Sequence, residues 1–193
     1  MHNIAILASG SGSNAENIAR HFNRPGSPVH VAIVLSNRAT AAVHERMLAL
    51  GVETATFAND VWDNNPQTII DELRRRDIDM VVLAGFLRKI HTDLVHAYRG
   101  RMLNIHPSLL PAYGGKGMYG RRIHEAVLAA GEIQTGVTVH LVSEEMDEGQ
   151  IILQEPLAIN PGETVDTLES RIHDLEFDLY PRAITTILQS LTH

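Results

Sequence analysis

Residues 104–111 carry the sequence Asn-Ile-His-Pro-Ser-Leu-Leu-Pro, just past the middle of the chain. Side chains alternate faces along an extended strand, so Asn104 and His106 are predicted to point to the same side. Pro107 lacks a backbone N–H and favours extended geometry in the residue before it, which indicates that the strand stops there. In parallel α/β sheets, ligands bind at the carboxyl ends of the strands. An amide beside an imidazole at such an end could stabilise an oxyanion and move a proton, but a turn-capping Asn and a His bonded to backbone fit the same spacing.

Apolar runs on both sides of this stretch predict a mostly parallel sheet. The run at residues 80–85 is continuous, as expected of a central strand buried on both faces. Two later runs are joined by a short connection, which predicts an antiparallel hairpin added to the sheet. The predicted strands are 3–8, 29–35, 52–56, one within 79–90, 101–105, 135–142 and 150–154. Helices are predicted from about residue 14 to 21 and at 39–50, 67–76, 121–130 and 164–191, with a kink or restart at Pro181 and a surface loop at 57–66.

Residues 9–14, here called the Gly/Ser loop, separate the first strand from the first helix. Glycines let the backbone approach a ligand closely, and free N–H groups at a helix start favour an anion such as a sugar phosphate. Gly10, Gly12 and Ala15 also satisfy a dinucleotide fingerprint of the form Gly-x-Gly-x-x-Ala. The second strand is followed by no acidic residue for an NAD ribose, although Arg38 suits a 2′-phosphate. An NADP-dependent reductase and a non-catalytic nucleotide-binding module therefore remain alternatives.

The composition is that of an ordinary soluble globular protein. The 193 residues, 44% hydrophobic and 20% charged, fit one domain spanning residues 1–193. A formal charge of −7 argues against general nucleic-acid binding, and no apolar run approaches the length of a membrane span. The absence of cysteine excludes disulfides and thiolate chemistry. We expect a cytoplasmic protein without a signal peptide, without a metal, since the histidines lack ligand spacing, and without a Gly-x-Ser-x-Gly hydrolase elbow.

The motif at residues 104–111, together with His140 and with Asp147 in the sequence Met-Asp-Glu-Gly, resembles the formyltransferase family that uses 10-formyltetrahydrofolate. The resemblance runs from about residue 3 to about residue 190. It implies a Rossmann-like, mostly parallel sheet flanked by helices, with an antiparallel hairpin near the C-terminus. It also implies transfer of the formyl group of 10-formyltetrahydrofolate to the amine of glycinamide ribonucleotide in purine synthesis. The partners are then small molecules only, and the enzyme is expected to be a monomer or homodimer.

The resemblance also implies catalytic roles. Asn104 would donate a hydrogen bond to the oxyanion of a tetrahedral intermediate, and His106 would share that work. Asp147 would hold the imidazole, raise its pKa and take part in proton transfer from the attacking amine. His140 is a secondary candidate.

Two loops and one helix position complete the implied site. In the family, the loop after the fourth strand cradles the pterin ring, whereas Phe86 at its start is expected to pack in the core. The 112–120 loop, with Lys116 and Tyr119, is either a lid over the substrate or a flexible connection. The implied binding residues are Gly12, Ser13 and Asn14 for the substrate phosphate, Leu87, Arg88, Lys89, Ile90 and Asn104 for the folate, and Glu176 on the amine side.

Overall fold

A computed structural model describes residues 1–191, in which seven strands form one sheet. The strands are β1 (His2–Leu7), β2 (Val29–Ser36), β3 (Thr54–Thr56), β4 (Ile78–Leu83), β5 (Met102–His106), β6 (Gln134–Leu141) and β7 (Ile151–Ala158). Their order across the sheet is β3-β2-β1-β4-β5-β6-β7. Strands β1 to β5 pair in parallel, and β6 and β7 pair antiparallel, so the predicted sheet and hairpin are confirmed. Strand β7 continues beyond the predicted end at residue 154 because Pro156 lies on an edge strand, where a missing N–H is tolerated.

Helices cover both faces of this sheet. They are α1 (Ser13–Phe22), α2 (Val43–Ala49), α3 (Asn59–Asn64), α4 (Pro66–Arg75), α5 (Thr92–Ala97), α6 (Arg121–Ala129) and α7 (Val165–Ser190). Strand β1 shows why helices are needed on both faces of the sheet. Its side chains alternate between two buried apolar clusters, one on each face. Ile4 and Ile6 join the cluster formed with α1, α2, α6 and α7, whereas Ala5 and Leu7 join the cluster formed with α4 and α5.

The prediction of a surface loop at residues 57–66 is wrong, because helix α3 forms there and buries Trp62 to 3% exposure. The indole Nε1–H donates to the Phe57 carbonyl oxygen at 3.0 Å, and the ring lies 4.6 Å from that of Phe86. Phe86 is itself buried, as predicted for a core residue. Helix α5 was not predicted either. Both helices have six residues, so tertiary contacts rather than a periodic pattern stabilise them.

Helix α7 runs without interruption through Pro181, so the predicted restart does not occur. Proline cannot donate to the carbonyl four residues earlier, which leaves the oxygen of Phe177 without its intrahelical partner. Asn17 of α1 supplies the replacement, because its Nδ2 donates to that oxygen at 2.9 Å. A side chain from the neighbouring helix therefore compensates for the proline.

Candidate active site

A cleft of about 580 Å³ opens at the carboxyl ends of β1, β4 and β5. Its wall is formed by several segments. They are the Gly/Ser loop, the segment after β4, the 104–107 stretch, residues 115–120 of the 112–120 loop, and helix α7. The structure brings together in this cleft all the residues that the family resemblance implies for catalysis and binding. Those residues are Gly12, Ser13, Asn14, Leu87, Arg88, Lys89, Ile90, Asn104, His106, His140, Asp147 and Glu176.

Asn104 and His140 are directly opposite each other on the antiparallel strands β5 and β6. Side chains of such a cross-strand pair lie on the same face and meet. The Asn104 Nδ2 lies 3.1 Å from Nε2 of His140, and the other ring nitrogen, Nδ1, lies 2.9 Å from the Leu141 carbonyl oxygen. Since a carbonyl only accepts, His140 carries its proton on Nδ1, and its Nε2 accepts one hydrogen of the Asn104 amide. The second amide hydrogen of Asn104 is left for a ligand.

His106 is buried at the end of β5, and its two ring nitrogens have different partners. Its Nε2–H donates to the Tyr113 carbonyl oxygen at 2.8 Å, whereas Nδ1 faces Oδ2 of Asp147 at 3.7 Å. The expectation that Asp147 raises the pKa of His106 above its ordinary value is wrong. Burial lowers the pKa of this imidazole more than the Asp147 carboxylate raises it, because the carboxylate is too distant for a hydrogen bond. His106 is therefore neutral at pH 7, with a free lone pair on Nδ1.

Asp147 lies in the connection between β6 and β7, in a left-handed backbone conformation with φ 60°. Burial alone raises the pKa of its carboxyl, but His140, the Gly115 N–H and His106 outweigh burial and hold the pKa below its ordinary value. The Gly115 N–H donates to Oδ2 at 2.9 Å, and His140 Nε2 is 3.6 Å from Oδ1. The turn also requires Gly149, where a Cβ would lie 1.6 Å from the Leu141 carbonyl oxygen. An ionised carboxylate is thus held between two imidazoles.

The Gly/Ser loop leads directly into helix α1, whose N-cap is Gly12. Gly12 has φ 74°, and a Cβ there would lie 2.4 Å from Cγ2 of Val43, so only glycine fits. Gly12, Ser13 and Asn14 at the start of α1 line the cleft. The free N–H groups of a helix start, together with the helix dipole, suit an anion.

Asn14 links this loop to helix α7. Its Nδ2 donates to Oε2 of Glu176 at 2.9 Å, and its buried Oδ1 has no hydrogen-bond partner within residues 1–191. Glu176 is 5% exposed, and burial raises the pKa of its carboxyl despite the Asn14 hydrogen bond. The unpartnered amide oxygen and the buried acid indicate a polar ligand between α1 and α7.

The segment after β4, residues 84–91, is here called the 84–91 loop. Its residues 84–90 form another part of the cleft wall. Leu87 is 53% exposed and lines the cleft. Arg88 also lines the cleft and forms an ion pair with Asp63 of α3. The loop therefore presents an apolar side chain and a paired cation to the cleft.

The sequence analysis missed, among other lining residues, three polar side chains on helices: His124 of α6, and Glu169 and His173 of α7. His124 is buried, and its Nδ1 has no hydrogen-bond partner in the described part of the chain. Burial lowers the pKa of this imidazole, while Glu169 opposes the shift. The positions 169, 173 and 176 share one face of α7, and this polar face at helical spacing is a signal that could have revealed them.

Within residues 1–191, no helix is long and apolar enough to cross a membrane. The same residues contain no group of three or more His, Cys, Asp or Glu side chains arranged to hold a metal ion.

Comparison with known proteins gives a consistent match over most of the chain. The family described as formyl transferase matches residues 2–184. The phosphoribosylglycinamide formyltransferase of Bacillus subtilis is 37% identical over 191 residues, which cover 97% of this chain and 95% of that protein. The bovine trifunctional purine biosynthetic protein adenosine-3 is 40% identical over 95% of this chain, but the chain spans only 18% of that protein.

Solved structures agree with the sequence matches. Glycinamide ribonucleotide transformylase 1 from Geobacillus kaustophilus has a TM-score of 0.88 and 39% identity, covering 97% of this chain and 99% of that one. Phosphoribosylglycinamide formyltransferase from Bacillus halodurans has a TM-score of 0.87 and 36% identity, covering 96% and 95%. The likeness therefore extends over the whole fold.

Proposed function

Because the chain belongs to the formyl transferase family, we propose that it transfers the formyl group of 10-formyltetrahydrofolate to the amine of glycinamide ribonucleotide, a step of purine biosynthesis. The observation that supports this most directly is the meeting of Asn104, His106 and Asp147 in one cleft that also contains the Gly/Ser loop. A donor, a neutral base and a carboxylate beside an anion site suit acyl transfer to the amine of a phosphorylated substrate.

In the proposed reaction, the substrate amine attacks the formyl carbon and forms a C–N bond, which places negative charge on the formyl oxygen. The remaining hydrogen of the Asn104 amide stabilises that oxyanion. The proton lost by the attacking nitrogen moves to Nδ1 of His106, and Asp147 stabilises the resulting imidazolium. The intermediate then collapses by cleavage of the bond between the formyl carbon and the folate nitrogen. The folate nitrogen receives the proton from Nδ1 of His106. Because Nε2 of His106 is bonded to the Tyr113 carbonyl, we assign the imidazole to proton transfer rather than to the oxyanion.

The two substrates are assigned to opposite walls. The ribonucleotide phosphate binds to the backbone of Gly12, Ser13 and Asn14 at the start of α1, with Glu176 on the amine side. The folate ring binds along residues 87–90 and against Asn104, where the exposed Leu87 supplies an apolar contact. His140 orients the Asn104 amide. No metal takes part.

We further propose that one domain spanning residues 1–193 carries this activity, as a monomer or homodimer in the cytoplasm. Both substrates are small polar molecules, and the charge of −7 disfavours nucleic acid. An NADP-dependent reductase has less support. Arg38, the residue that would bind the 2′-phosphate, is not among the described residues that line the cleft.

Turnover of glycinamide ribonucleotide with 10-formyltetrahydrofolate tests the proposal. Removal of one oxyanion donor costs roughly 100–1000-fold in rate, so Asn104→Ala is expected to lower kcat by that factor with little change in either KM. Asn160→Ala, a change of the same type on an exposed turn after β7, should retain wild-type activity. Oxidation of NADPH without formyl transfer would overturn the proposal in favour of a reductase, and ligand binding without turnover would favour a binding module.

A further inference from the structure

Ser9 is a buried hydroxyl between the two substrate walls. It follows strand β1, is 1% exposed, and begins the Gly/Ser loop. None of the roles assigned above uses it.

Two hydrogen bonds connect Ser9 to the 84–91 loop. The Ser9 N–H donates to the Gly85 carbonyl oxygen at 3.1 Å, and the Leu87 N–H donates to Ser9 Oγ at 3.0 Å. Since a backbone N–H has one hydrogen, the Leu87 amide is used within the protein and does not bind a ligand. The Leu87 side chain remains exposed in the cleft. Ser9 therefore fixes which backbone groups of this loop face the cleft.

The orientation of the Ser9 hydroxyl is itself fixed by a chain of side-chain hydrogen bonds. Ser9 Oγ–H donates to Oδ1 of Asn37 at 2.7 Å, and Nδ2 of Asn37 donates to Oδ1 of Asn59 at 3.0 Å. Because the single hydroxyl proton is given to Asn37, the lone pairs of Oγ point toward the Leu87 amide. Asn37 follows β2 and Asn59 begins α3, so the relay joins three separate segments at the edge of the sheet.

We propose that Ser9 is a positioning residue for the 84–91 loop, and that it controls the affinity of the enzyme for the formyl folate while leaving the ribonucleotide wall unaffected. The folate part of this inference rests on the proposed function. The loop part does not, since it depends only on the hydrogen bonds of Ser9. One segment of chain thus serves both substrates, with residues 12–14 on the phosphate and Ser9 supporting the folate loop.

The test compares Ser9→Ala with Ser27→Ala. Ser27 is a matched control because its hydroxyl, like that of Ser9, donates one hydrogen bond and accepts one from a backbone N–H, here with Val29 as both partners. Loss of one such hydrogen bond corresponds to about 3–10-fold in an equilibrium constant. We expect Ser9→Ala to raise KM for 10-formyltetrahydrofolate by that factor and to change KM for the ribonucleotide less than about twofold. Ser27→Ala should change neither KM.

Amide hydrogen exchange of Leu87, measured by NMR without substrates, separates the two parts of the inference. Exchange at Leu87 should be at least about tenfold faster in Ser9→Ala than in the wild type and unchanged in Ser27→Ala. The Ser9→Ala and Asn37→Ala effects should be non-additive, because both variants break the same relay. Unchanged exchange at Leu87, or equal increases in both KM values, would overturn the positioning role. Faster exchange in a protein with no formyl transfer would instead mean that the loop assignment is correct and the proposed function is wrong.

Discussion

The His106 imidazole contacts two segments that lie apart in the sequence. Its Nε2–H donates to the Tyr113 carbonyl oxygen of the 112–120 loop. Its Nδ1 faces Asp147 in the connection between β6 and β7. Gly115, from the same loop as Tyr113, donates to Asp147. The loop thus contacts both members of the pair, so its position decides which ring nitrogen of His106 is free to accept a proton.

Replacement of Asp147 by Asn tests the electrostatics of this pair. The carboxylate partly offsets the effect of burial on His106, so Asp147→Asn should lower the pKa of the imidazole further below its ordinary value. The chemical step should slow by at least about 100-fold, since an assisted proton transfer is lost. An NMR titration of His106 and the pH dependence of kcat measure the two effects.

Asp93→Asn is the matched control, because the exposed Asp93 carboxylate lies at the same 3.7 Å from Nδ1 of another histidine, His91. It should leave both the His106 titration and kcat unchanged. A His106 titration that is identical in the wild type and in Asp147→Asn would show that the carboxylate does not tune the imidazole.

At the scale of elements, helix α7 joins the core to the site. Its Tyr180 hydroxyl bridges the carbonyl oxygens of Leu83 and Leu103 at 2.7 and 3.2 Å, at the ends of the central strands. One turn earlier, Glu176 reaches Asn14 of α1. The position of this turn depends on the helix continuing through Pro181. Asn17 stabilises the helix there, because it supplies the hydrogen bond to the Phe177 carbonyl oxygen that Pro181 cannot donate.

Asn17→Ala should therefore destabilise the fold by about 1–3 kcal/mol, because it leaves the Phe177 carbonyl oxygen unsatisfied. In a Pro181→Ala background the restored backbone N–H can donate to that oxygen, so the same change should cost much less. Urea unfolding of the two single variants and the double variant measures this coupling. Asn23→Ala, which breaks hydrogen bonds to Val31 instead, should add independently to Pro181→Ala. Equal costs of Asn17→Ala in both backgrounds would refute the compensation.

At the scale of the whole molecule, two buried histidines make stability depend on pH. Burial lowers the pKa of His106 and His124 below the ordinary value of 6.5. The unfolded chain then binds more protons than the native one as the pH falls below 6.5. Their contribution to stability is fully present above pH 6.5 and is lost as the pH falls through the lowered values. Glu176 acts in the opposite direction, because burial raises the pKa of its carboxyl, and its contribution is lost as the pH rises.

The free energy of unfolding should therefore decrease between about pH 7 and pH 5, as measured by urea denaturation at several pH values. His124→Gln should reduce this dependence, since a neutral amide replaces a buried titrating ring. His30→Gln, on an exposed face of β2, should leave it unchanged. A pH dependence that is as steep in His124→Gln as in the wild type would contradict the assignment.

Much of the sheet could be predicted because continuous apolar runs such as β4 have few other uses in a soluble protein. The short helices α3 and α5 could not, since Trp62 is buried by Phe86, which follows 24 positions later in the sequence. The resemblance supplied the candidate site residues, but not the electrostatics of His106. Burial lowers the pKa of this imidazole more than the Asp147 carboxylate and the Tyr113 carbonyl raise it, and only the folded chain brings these groups together.

The contact between Asn14 and Glu176 spans 162 positions of sequence. A ribosome adds about 5–20 residues per second, so roughly 10–30 s separate the synthesis of the two partners. Until α7 has emerged from the exit tunnel, the nascent chain exposes apolar side chains on β6, such as Val137 and Val139, that α7 covers in the folded protein. We therefore expect holdase chaperones to bind the growing chain during this interval, and ribosome-stalled chains that lack α7 to bind no ribonucleotide.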